Sequence, residues 1–158
     1  MAWPQADREA LHRLAYGLKI GENHLRDLMD WLEEISLRDG SPIGELLAAN
    51  AVAAIESDPR LGRADKLKRI KEQVRRRRFP RLAETEDSIR ARIQELKLQP
   101  AIRLSVPPGL EGGQLHVEFT ASSQEEMKSW IEKLGQAAAQ DSVGEIFRLL
   151  AGKTAAGE

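Results

Sequence analysis

The spacing of apolar residues departs from the helical period in one stretch of this chain, and that departure constrains the fold more than any other feature. Through most of the sequence, apolar side chains return every three or four positions, the period of an amphipathic helix. Between residues 102 and 119 they alternate: Ile102, Leu104 and Val106, then Leu115, Val117 and Phe119. Alternation predicts two short strands, and the Pro-Pro-Gly-Leu-Glu-Gly-Gly between them supplies the turn. An α+β fold follows, mainly helical, with one antiparallel β-hairpin.

The helical stretches can be bounded by their punctuation. Pro4 opens a first helix with Asp7 and Glu9 near its positive end and Leu11 and Leu14 on its apolar face; Gly17 and Gly21 are expected to interrupt it. From Glu22 to Arg38, Leu25, Leu28, Met29, Leu32 and Ile35 keep the helical period until Asp39-Gly40. Ser41-Pro42 opens a further helix with Ile43, Leu46, Leu47, Ala51, Ala54 and Ile55 expected inside, closed by Ser57-Asp58-Pro59. A helix from Ala64 to Arg78 has a narrow stripe of Leu67, Ile70 and Val74, and another from Leu82 to Leu98 has Leu82, Ile89, Ile93 and Leu96. After the hairpin, Ser122 or Ser123 with Glu125 or Glu126 fits a capping box, and Met127, Trp130, Ile131 and Leu134 are expected to form a buried face. Ser142 with Glu145 repeats that device before Val143, Ile146, Phe147 and Leu150.

Charge is distributed unevenly although the net charge is only −1. Residues 1–59 hold five basic and eleven acidic side chains, 60–81 hold eleven and two, and 82–158 hold eight and twelve. This divides the chain into a helical lobe (1–59), a basic helix or junction (60–81), an αββα lobe (82–151) and a flexible tail (152–158).

The basic block comprises Arg60, Arg63, Lys66, Lys68, Arg69, Lys71, Arg75, Arg76, Arg77, Arg78 and Arg81. On a helix, Lys66, Arg69, Lys71, Arg76 and Arg77 occupy an arc that the apolar stripe leaves free, and Arg75 and Arg78 extend it. Cations so placed neutralise successive phosphates and release condensed counterions, which binds nucleic acid without reading bases. Sequence-tolerant binding of DNA, ahead of RNA, is the function expected of this segment. An acidic protein surface is the other partner such a helix fits, as in an adaptor for a DNA-processing or repair enzyme. A third reading is a solvated face balanced by acidic lobes of the same chain.

Little in the sequence suggests an enzyme. Zero cysteines exclude thiol catalysis and thiolate metal sites. His12, His24 and His116 lie far apart, so neither a metal site nor a cofactor is expected. Asp27, Asp30, Glu33 and Glu34 interleave with the apolar stripe as the solvent side of a helix would. The serines sit at caps and turns, and the glycine-rich turn lacks the lysine of a phosphate loop. No stretch approaches the roughly 20 apolar residues of a membrane span, the amino-terminal residues do not read as a signal peptide, and the expected location is the cytoplasm.

Residues 83–134 combine a charged helix ending in Glu-Leu-Lys-Leu (95–98), the strand Ile-Arg-Leu-Ser-Val, a glycine-containing turn, the strand Gln-Leu-His-Val-Glu-Phe (114–119) and a serine-capped helix with an acidic start. In this order they resemble the C-terminal dimerisation domain of ParB-type partition proteins. The resemblance implies a homodimer formed through the hairpin and helix at 101–135, together with non-specific DNA contact; since a two-stranded hairpin with one apolar face needs a covering surface, Leu115, Val117, Phe119, Trp130 and Leu134 are the expected contacts. It does not extend to the nucleotide-contacting arginine motifs or the operator-reading helix-turn-helix of that family, so neither activity is implied.

Overall fold

The computed structural model describes residues 2–152; residues 153–158, most of the expected flexible tail, lie outside the described part. The chain forms two compact units that meet in sequence at Pro80 and Arg81. Among the described residues are eight α-helices and one two-stranded antiparallel sheet, so the fold is α+β and mainly helical. No described helix is long and apolar enough to cross a membrane.

The first unit contains α1 (Gln5–Leu18), α2 (Glu22–Asp39), α3 (Ile43–Ala48), α4 (Asn50–Ser57) and α5 (Arg63–Arg78). Its core joins Leu11, Leu14 and Leu18 of α1, Leu28, Leu32 and Ile35 of α2, Ile43, Leu46 and Leu47 of α3, Val52 of α4, and Ile70 and Val74 of α5. The basic helix is therefore an integral member of this unit rather than a junction, and it packs against α2, α4 and α1.

Several boundaries differ from those expected. Helix α1 runs through Gly17 to Leu18, because burying Leu18 rewards one more turn before Lys19 closes it in a left-handed conformation. Gly40 does the same for α2 at φ 66°, where a side chain would be strained, and its N–H returns to the Ser36 carbonyl. The single helix expected between Ser41-Pro42 and Ser57-Asp58-Pro59 is broken at Ala49, which is extended at φ −55° and ψ 143°. That break rephases the second half: Val52 becomes buried while Ala51 and Ala54 are exposed. Burying valine in place of alanine removes more apolar area from water.

The second unit contains α6 (Pro80–Glu95, whose first residue closes the first unit), β1 (Ile102–Ser105), β2 (His116–Phe119), α7 (Gln124–Ala138) and α8 (Asp141–Leu150). Proline at the start of α6 costs nothing, since the N–H it lacks would have no helical partner there. The strands are shorter than the alternation suggested. Ile102 lies opposite Phe119 and Leu104 opposite Val117. Ile102 and Leu104 enter a core with Ile89, Ile93, Leu96, Leu98, Ala137, Ile146, Leu149 and Leu150. A 3-10 turn over Pro108–Gly113 joins the strands, with Gly112 at φ 80°.

One capping device forms as expected and the other does not. Ser123 Oγ accepts from the Glu126 N–H at 3.0 Å, and Glu126 Oε2 accepts from the Ser122 N–H at 2.9 Å. Ser142, by contrast, lies inside α8, whose preceding residue Gln140 makes no side-chain cap. Its hydroxyl donates to Glu95 Oε2 at 3.0 Å instead, joining α8 to α6. The Glu95 carboxyl is held below its ordinary pKa by that hydroxyl and by Arg92.

Candidate nucleic-acid interface

Helix α5 turns Ile70 and Val74 into the core with Leu67 beside them, so its cations divide between two flanks and an outer face. The flank beside α2 is heavily paired. Lys71 Nζ donates to Asp27 Oδ2 at 2.9 Å and lies 3.1 Å from His24 Nδ1. Arg78 donates from Nε and Nη2 to the two carboxylate oxygens of Glu34, at 2.5 and 2.8 Å. Trp31 stands between these rungs, its ring 5.1 Å from Lys71 Nζ and 5.9 Å from Arg78 Cζ. Both separations fit cation–π attraction.

The C-terminal end of α5 is closed by a cation from another helix. Arg38 donates from Nη1 to the Arg78 carbonyl at 2.8 Å and from Nη2 to the Arg77 carbonyl at 2.7 Å. Such donors satisfy last-turn carbonyls that have no partner within the helix. Asp39 holds Arg38 through its Nε at 2.7 Å and also lies 3.7 Å from Arg77 Nε. With Arg38 and then Arg77 beside it, the Asp39 carboxyl sits below its ordinary pKa. The Lys71 hydrogen bond has the same effect on Asp27.

Near the start of α5, Arg60 chelates Asp58 through Nε and Nη2, both at 3.0 Å, while its backbone N–H donates to the same carboxylate. These bonds lower the Asp58 pKa to about 2. Lys66 Nζ donates to the Glu56 carbonyl at 2.6 Å. Arg75 Nε lies 3.2 Å from Glu72, and Arg75 and Arg76 are both half-buried.

The eleven expected phosphate ligands thus do not form one open surface. Arg60, Lys66, Lys71, Arg75, Arg77 and Arg78 are engaged with partners in their own unit. Arg63, Lys68 and Arg69 of α5 are exposed and form no ion pair with a described residue; Arg81, at the start of the second unit, is likewise exposed. Asp65 and Glu72 share the outer face of α5 and reduce its positive field.

Sequence reasoning raised acidic lobes of the same chain as a counterweight to the basic block but missed which residues pair with it. Asp27 and Glu34 were expected to be solvent-facing, yet they bind Lys71 and Arg78. The legible signal was spacing: each pair is seven residues apart, so two helices running in the same direction can join at two rungs.

The expected dimer residues lie around a face that the second unit leaves partly open. Leu115, Phe119, Trp130 and Leu134 are half-buried against the core, while Val117 is exposed. Helix α7 buries only Ala137. Contrary to the expectation of a buried stripe, Met127 is 49% exposed and Ile131 50%, and Phe147 of α8 is also open. Too little of the unit lies over α7 to cover these side chains.

Among the described residues no group of three or more His, Asp or Glu side chains could hold a metal. No family model matches the chain, and no match was found among curated proteins or solved structures.

Proposed function

We propose that this protein is a non-enzymatic, self-associating module that binds nucleic acid through phosphate, without sequence preference and with DNA as the favoured ligand. The observation that carries the reading is the set of exposed cations Arg63, Lys68 and Arg69 on α5, which form no ion pair with a described residue. Their helix is fixed by its apolar stripe and by the rungs to α2, so they are presented from a rigid support. Rigid presentation limits the entropy lost when long side chains engage a polyanion. The arginine run contributes mainly by building that support.

Self-association is the second part of the proposal. Helix α7 buries only Ala137 fully and Trp130 and Leu134 by half, which leaves part of its apolar face uncovered, and short helices owe most of their stability to packing. The partly open stripe of Met127, Trp130, Ile131 and Leu134, with the exposed Val117 of the hairpin, suits a second copy. The order helix, hairpin, helix, which resembles the ParB C-terminal domain, supports the same arrangement.

The test is a salt titration of binding by the full chain to unrelated duplex sequences. Changing Arg63, Lys68 and Arg69 together to Gln should weaken all duplexes by a similar factor. The slope of log K against log salt should become shallower by about 0.9 for each phosphate that the variant no longer neutralises. Undiminished binding by the triple variant would remove this surface from the reading. A parent chain that binds no nucleic acid at low salt but captures an acidic protein would establish the adaptor alternative.

A further inference from the structure

Helix α1 carries a strip that the reading above leaves unused. Gln5, Arg8, Glu9, His12, Arg13, Tyr16 and Lys19 are all exposed, opposite the buried Leu11, Leu14 and Leu18. Arg8, His12 and Tyr16 follow one another at four-residue intervals, so they stand in a row along the helix. Tyr16 is 82% exposed, so both faces of its ring are open to solvent or to His12. It lies parallel to His12, with ring centroids 6.4 Å apart and an interplanar angle of 9°.

The charges around this pair favour an anion. Arg8, Arg13 and Lys19 form no ion pair with a described residue, and they outnumber the carboxylates beside them, Glu9, which accepts a 2.8 Å hydrogen bond from Gln5, and Glu33, which shares a second cleft with Arg8 and His12. A shallow cleft of about 630 Å³ lies beside the Arg8 and His12 end of the row, lined by Gln5, Arg8, Glu9, His12 and Arg13, and Tyr16 stands just outside it. Flat aromatic faces bordered by unpaired cations suit bases that are free to stack and phosphates that follow them. Duplex DNA hides its base faces, and an acidic peptide would use the cations but not the ring.

We propose that the α1 strip is a stacking platform for single-stranded nucleic acid, with Tyr16 and His12 receiving bases and Arg8, Arg13 and Lys19 receiving phosphates. This rests on the nucleic-acid reading above and adds the strand form that the protein selects. The platform acts separately from the outer face of α5, which meets phosphate in duplex and single strand alike.

The experiment measures fluorescence anisotropy of the full chain with labelled oligothymidylate and with a mixed-sequence duplex. Tyr16→Ala should weaken single-strand binding by about five-fold or more, the loss expected for one stacked base, and leave duplex binding unchanged. Tyr16→Phe should bind as the parent does, because the ring face is retained. The α5 triple variant should lose affinity for both ligands. If Tyr16→Ala binds oligothymidylate like the parent while the triple variant is impaired, the platform is refuted and the α5 reading stands. If the parent binds neither ligand, both readings fail together.

Discussion

Arg78 and Glu34 join α5 to α2 through two parallel hydrogen bonds, seven residues beyond the Lys71–Asp27 bond on both helices. Matched spacing with Trp31 between the rungs makes the end of the arginine run a fixed part of the first unit. Replacing Arg75, Arg76, Arg77 and Arg78 together by Gln should therefore lower stability, although Gln preserves helix propensity. The Arg78–Glu34 coupling itself should be up to about 1 kcal/mol, since the Glu34 side chain is 55% exposed and water screens the pair. Urea denaturation of Arg78→Gln, Glu34→Gln and the double variant measures that coupling. Lys68→Gln with Arg69→Gln should leave the midpoint nearly unchanged, and a zero coupling for the first pair would show that the rung is ornamental.

The same carboxylates predict the response to acid. Asp27 and Asp39 lie below their ordinary value of 3.8, chiefly through hydrogen bonds from Lys71 and Arg38, and Asp58 is lowered to about 2 by Arg60. A carboxyl whose folded pKa is depressed adds stability above its unfolded pKa and loses it as pH falls through the folded value. The contribution of these three groups should be constant from neutrality to about pH 5 and decline below about pH 4, with the Asp58 part persisting toward about pH 2. Denaturation midpoints across that range check the order. Asp58→Asn should remove the most acidic part of the decline and leave the rest.

The helices and the hairpin were legible because burial imposes a period on sequence, and Leu28, Leu32, Ile35, Ile70 and Ile89 all obey it. What periodicity could not reveal was which apolar faces find a cover. The stripe Met127, Trp130, Ile131 and Leu134 looks like any buried face, yet it is partly open in the folded chain. Likewise, the basic block displayed its charge but not its partners, which come from a helix some 44 residues earlier. The break at Ala49 was invisible for a different reason: it depends on Val52 gaining a place in the core, a tertiary effect that overrides local propensity.

Asp7 illustrates a local signal with a tertiary use. Its first-turn position suggested an interaction with the dipole of its own helix, but it is only 5% exposed and its Oδ1 accepts from the Gly44 N–H at 2.8 Å. That N–H belongs to the first turn of α3, where no residue of α3 supplies a side-chain cap. Asp7→Ala should cost about 1–3 kcal/mol, because it leaves a donor near the core without its charged acceptor. Asp7→Asn should cost less if the amide oxygen takes the same place. Gly44→Ala should also destabilise, since its Cβ would meet Asp7 Oδ1 at 3.2 Å. Thermal or urea unfolding distinguishes this set from a simple surface charge effect, for which Asn and Ala would be equivalent.

Self-association offers the sharpest separation of an interface from a core. Ile131 is half exposed in the single chain, whereas Ile102 is fully buried in the second unit. Ile131→Glu should leave the fold of the chain intact but shift sedimentation toward the monomer, because a carboxylate would be buried without a partner when two copies meet. Ile102→Ala should instead lower stability by about 2–5 kcal/mol through weaker core packing and the cavity left behind. Met127→Lys, one turn from Ile131, should reproduce the first result. The parent should move from monomer to dimer as its concentration rises through the micromolar range, and its unfolding midpoint should rise with it, since association adds free energy to the folded state alone. A parent that sediments as a monomer at high micromolar concentration, with a midpoint independent of concentration, would show that the open stripe of α7 is not covered by a second copy.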